Sequence, residues 1–119
     1  MENTKSSINI QIQLDEEKMP ELIEWNAPGG GVEDLQQAKG LLLGLWDGTD
    51  KSALRIDVWT KKMMVDEMND FFYQSFFGMA DTYVRATRNA DLAQEIKDFA
   101  KAFHKKATAA LSEEEQTGQ

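Results

Sequence analysis

Hydrophobic and polar positions divide the chain into a period-two half and a helical half. Ile8, Ile10, Ile12 and Leu14 alternate with Asn9, Gln11 and Gln13, the signature of a half-buried strand with one wet face. Asp15 to Pro20 is charged and ends in proline, a turn. Glu21 to Asn26 reads as a second strand, with Ile23 and Trp25 on one face and Leu22 on the other, so a hairpin with the first is expected. Pro28-Gly29-Gly30-Gly31 breaks regular structure. Glu33 to Lys39 has helical composition but allows about two turns before Gly40.

Gly40 to Trp46 admits two readings. As a helix it places Leu35, Leu42, Leu45 and Trp46 inside, with Gly40 and Gly44 each costing about 0.5–1 kcal/mol. As a fully buried strand it pairs across Asp47-Gly48-Thr49-Asp50, strong turn chemistry, with the alternation Leu54, Ile56, Val58 against Arg55, Asp57, Trp59. The short turn between two apolar runs favours the strand.

From Val65 to Arg88 the period changes to that of one long helix. Met68, Phe72, Phe76, Met79 and Tyr83 make one stripe. Tyr73, Phe77, Ala80 and Val84 make a second, about 100° or more around the axis. Asp66 and Glu67 in the first turn and Arg85 and Arg88 in the last suit the helix dipole. Asn89 reads as the stop and Asp91 as the cap of a following helix, whose stripe is Leu92, Ile96, Phe99, Phe103 and Ala110, with Lys97, Lys101, Lys105 and Lys106 opposite. Met1 to Ser7 and Ser112 to Gln119 read as mobile tails of a single domain spanning 1–119. The expected class is α+β: an antiparallel sheet of about four strands from the N-terminal half, packed under two C-terminal helices, with three strands and three helices as the alternative.

Composition narrows the function classes. The 119 residues are 41% hydrophobic and 29% charged, ordinary for a globular domain. With 21 acidic and 13 basic side chains, the net charge of −8 disfavours nucleic acid and anionic lipid as partners. The absence of cysteine removes disulfides, thiolate nucleophiles and cysteine-ligated zinc. The polar N-terminus has no secretory h-region and no apolar run is long enough to span a bilayer, so a cytoplasmic protein is expected.

Candidate chemistry is sparse, and neither an enzyme nor a cofactor or metal is expected. His104, the one histidine, lacks a nucleophile or orienting carboxylate that sequence can place beside it. Asp15-Glu16-Glu17 and Asp66-Glu67-Asp70 lack the alternation of a hard-cation loop. The glycine run lacks a following Lys-Ser/Thr pair for phosphate, and Glu33 and Asp34 repel anions. Arg55 and Asp57 share a strand face as a candidate polar patch, or as a solvated ion pair. Trp25, Trp46 and Trp59 are large anchors that suit a core first and an interface second. The second helical stripe, Tyr73, Phe77, Ala80 and Val84, together with Trp59, is the candidate surface for a protein partner or a second copy; the alternative is a helix–helix contact within the monomer.

The run Leu54-Arg55-Ile56-Asp57-Val58-Trp59-Thr60-Lys61 is followed by Val65-Asp66-Glu67-Met68, Phe71-Phe72, Met79-Ala80-Asp81-Thr82 and Arg85-Ala86-Thr87; upstream stand Leu14-Asp15-Glu16, Trp25 and the glycine run. Together they resemble the GldC-type gliding-motility-associated proteins of Bacteroidetes, over roughly Ile8 to Phe103. Met64 stands where the pattern leads us to expect a proline. The resemblance implies a small, soluble, cytoplasmic accessory factor of the gliding machinery, associated with a membrane-anchored lipoprotein, and carries over no catalytic residue. A chaperone-like binder of clients is the alternative, since four strands followed by two helices match in outline the layout of the SecB export chaperone. A small ligand-binding domain or enzyme built on Arg55, Asp57 and Trp59 is a third.

Overall fold

The computed structural model describes residues 4–117, with side chains to residue 114. Five antiparallel strands in two sheets precede two helices: β1 Asn9–Leu14, β2 Pro20–Ala27, β3 Val32–Ala38, β4 Gly40–Asp47, β5 Ser52–Trp59, α1 Val65–Thr87 and α2 Ala90–Thr117. The class is α+β, with one strand more than expected. Contacts divide the chain into two compact units, Met1–Met63 with the strands and Met64–Gln119 with the helices.

In the first unit β1, β2 and β3 form a meander. Ile10 lies opposite Trp25, Ile12 opposite Ile23 and Ile23 opposite Ala38, so the alternation seen in the sequence delivers one apolar face. Gln11 opposite Glu24 and Asn9 opposite Asn26 form the wet face, and Asn9 Nδ2 donates to Asn26 Oδ1 at 2.9 Å. The β1–β2 turn is an Asx turn: Asp15 Oδ1 accepts from the N–H groups of Glu17 and Met19 at 2.9 and 3.0 Å, and Lys18 takes the left-handed conformation, φ 63°.

β3 corrects the helical reading of residues 33–39. Glu33, Gln36 and Gln37 favour a helix locally, but two turns between Gly31 and Gly40 hold too few internal hydrogen bonds. Pairing with β2 satisfies the backbone instead, and the polar side chains guard an outer edge. Gly29 and Gly31 adopt φ 83° and 92° in the connection, which L side chains rarely do.

β4 and β5 form a separate two-stranded ladder in continuous register from Gly40–Trp59 to Asp47–Ser52. The strand alternative for residues 40–46 is therefore the observed one. Asp47 Oδ1 accepts from Thr49 and Asp50 N–H at 2.9 and 3.2 Å, closing the turn. Buried Thr60 is fixed to Lys39: its N–H and its hydroxyl donate to the Lys39 carbonyl at 2.9 and 3.3 Å.

In the second unit α1 and α2 form a helical hairpin. Met64 N–H donates to the Glu67 carboxylate at 3.1 Å at the start of α1, a bond the expected proline has no N–H to make. α1 ends at Thr87, with Arg88 left-handed at φ 60° and its N–H on the Val84 carbonyl. Asn89, not Asp91, caps α2: its Oδ1 accepts from Leu92 N–H at 3.1 Å, and Asp91 falls in the first turn. α2 continues to Thr117, through most of the stretch expected as a tail; residues 1–3 and 118–119 of the expected tails lie outside the described residues. Ala80, Ala93 and Ala100 are buried, the small residues that let the two helices approach closely.

Candidate functional site

The second stripe of α1 faces α2. The Tyr73 ring lies 4.3 Å from the His104 ring, and it meets Phe77 edge-on at 5.1 Å. Phe77 lies under the Lys97 ammonium, 5.9 Å from the ring centroid, and Lys97 pairs with Asp81 at 3.0 Å. Ala80 is wholly buried and Val84 half-buried. These side chains, grouped by sequence as a candidate partner surface, line the contact inside the hairpin. Trp59 belongs to the other unit, at the end of β5, and is exposed.

The first stripe is the more open one. Phe76 is the hub of an aromatic cluster, edge-on to Phe72, Phe99 and Phe103 at centroid distances of 6.1, 5.6 and 5.4 Å. Met79 and Phe99 stand 60% and 59% exposed, with Val65, Phe72 and Leu92 also exposed. A two-helix hairpin has one seam, and Met79 lies outside it.

The sheets add a second apolar surface. Successive residues alternate across the β4–β5 ladder, so Leu41, Leu43 and Leu45 share a face with Val58, Ile56 and Leu54. All six positions on this face are aliphatic; Leu45, Leu54 and Ile56 are more than half exposed. Leu41 also closes a hollow of about 180 Å³ with Ile8, Ile10, Ile23, Trp25 and Ala38, so the aliphatic face continues that of the meander. The opposite face carries Trp46, Trp59, Arg55 and Asp57.

The polar groups are committed to structure. Arg55 donates to both Asp57 oxygens, Nε at 3.0 Å and a terminal guanidinium nitrogen at 2.8 Å. That fork holds the Asp57 carboxyl below its ordinary range and raises Arg55, so both stay ionised rather than poised for proton transfer near neutrality. The Arg55 guanidinium crosses the ladder over Gly44, where a Cβ would meet it at 3.2 Å. Asp15 is likewise held low, first by Lys61 at 2.6 Å and then by the backbone N–H groups of its own turn. The glycine run gives its Gly29 N–H to Glu33 at 3.1 Å, so the chain's own carboxylate sits where an anion would. His104 Nε2 lies 3.5 Å from Asp70 Oδ1, a partner from another helix that sequence alone could not place. Among the described residues no three His, Asp or Glu side chains converge to hold a metal, and no helix is long and apolar enough to cross a membrane.

Residues 20–109, about three quarters of the chain, match a family model described as gliding motility-associated protein GldC-like. β1 lies before the matched region, which takes in β2 to β5, α1 and most of α2. Searches of curated proteins and of solved structures gave no match.

Proposed function

Because the chain belongs to the GldC-like family of gliding motility-associated proteins, we propose that it is a non-enzymatic accessory factor of that machinery, acting by binding a protein partner. The observation that carries this reading is the open aromatic ridge of the helical hairpin, Phe72, Met79 and Phe99 around the Phe76 hub. Large apolar side chains gathered on one solvent-facing surface are characteristic of protein interfaces. The polar groups paired above supply positioning and solubility. A cytoplasmic location and a membrane-anchored motility component as partner complete the proposal. Removing the gene from its host is expected to impair gliding, and a photo-crosslinker at position 99 is expected to capture a motility component. Intact gliding after removal would count against the pathway; crosslinking that reaches no motility protein would count against the surface.

The six-residue aliphatic face of β4 and β5 favours a second reading, a chaperone-like binder of unfolded segments. Suppression of client aggregation at stoichiometric protein, lost in Leu54→Glu, is its expected mark. No suppression at several-fold excess would remove it.

A further inference from the structure

We propose that β5 is a dimerisation strand, along which two copies of this chain pair edge to edge, antiparallel, about a two-fold axis through Ile56. The β4–β5 ladder has two strands, and among the described residues β5 has no ladder partner on its outer edge. Two-stranded ribbons are marginal in water, and an open eight-residue edge is a template for another strand. Neither proline nor lysine interrupts Ser52–Trp59, its ladder with β4 has no bulge, and its two charges, Arg55 and Asp57, are of opposite sign.

The order of residues selects the occupant. Outward from Ile56 come Arg55 and Asp57, then Leu54 and Val58, then Ala53 and Trp59. A two-fold axis at Ile56 sets each residue opposite its mirror position in the other copy. Arg55 then faces Asp57 twice, Leu54 faces Val58 twice, and Ile56 faces itself. Opposite charges are matched across the strands and aliphatics meet on the other face. Moving the axis one residue sets Arg55 against Arg55, or Asp57 against Asp57. The Arg55–Asp57 fork within each strand becomes one half of a four-membered cluster of alternating charge.

The chain as a whole is strongly acidic and like copies repel, but this edge is locally neutral and presents its own complement. The resulting order β4-β5-β5-β4 doubles the aliphatic face without changing either ladder. One strand edge lies at the low end of interface sizes, so the dimer is reversible, with dissociation expected at about 10–100 µM. This inference is independent of the gliding assignment and stands or falls on solution mass.

Sedimentation equilibrium on the full chain tests it by charge exchange. The wild type is expected to reach twice the mass of one chain at high concentration and to dissociate on dilution. Arg55→Asp and Asp57→Arg each set like charges opposite, and each is expected to weaken association at least about tenfold. The double variant R55D/D57R restores opposite charges and is expected to dimerise again. An equimolar mixture of the two single variants is expected to form a heterodimer that neither forms alone. Circular dichroism checks folding, and should a single variant not fold, the double variant alone decides. A monomeric wild type, single variants that associate as tightly as the wild type, a monomeric double variant, or a mixture that stays monomeric would each overturn the proposal.

Discussion

Asn89 and Asp15 show how single side chains set the joints of this chain. Asn89 follows a left-handed Arg88 and accepts the Leu92 N–H, so one residue ends the reversal and starts α2. Asn89→Ala is expected to cost about 1 kcal/mol, measured by urea unfolding, because a donor of the first turn loses its partner. Asp15 ties the β1–β2 turn to Lys61, beyond the end of β5. Its folded pKa lies below the ordinary value of 3.8, so its ionised form is favoured in the folded state. The contribution is therefore present above that value and fades as pH falls through the folded pKa. The melting temperature of the wild type is expected to fall between about pH 5 and pH 3 by more than that of Asp15→Asn. Equal falls would assign the acid sensitivity elsewhere.

At the level of elements, the hairpin depends on its seam and on the Phe76 hub. Ala80 and Ala100 are fully buried where the helices approach. Ala100→Leu is expected to destabilise by about 1–3 kcal/mol through overpacking, read as a lower urea midpoint with an unchanged slope. Phe76→Ala is expected to cost about 2–3 kcal/mol, since three aromatic neighbours lose their partner while part of the site stays open to solvent. β1, β2, β5 and both helices were legible in the sequence because their periodicity is long and clean. β3 was not, because its local composition favours a helix and its strand state comes from pairing with β2. The cap of α2 was misassigned by two residues, since Asn89 and Asp91 are both good caps and the left-handed turn at Arg88 decides between them.

For the whole molecule, the packing of the helical hairpin moved the candidate surface from one stripe of α1 to the other. Two stripes on α1 were visible in the sequence, but which one α2 covers depends on the helix crossing, and that is not written in the spacing of one helix. Tyr73 and Phe77 proved to lie in the seam, leaving the ridge of Phe72, Met79 and Phe99 open. Arg55 and Asp57 were correctly placed on one strand face; their mutual fork and the self-complementary order around Ile56 emerge once β5 is seen as an edge. Family membership links the chain to gliding motility-associated proteins. The most direct test is complementation of a gliding host that lacks this gene, using Met79→Glu/Phe99→Glu. Both side chains are more than half exposed, so the variant is expected to fold and to accumulate like the wild type. It is expected to fail to restore gliding, and full restoration at wild-type abundance would contradict an account in which the open ridge carries the function.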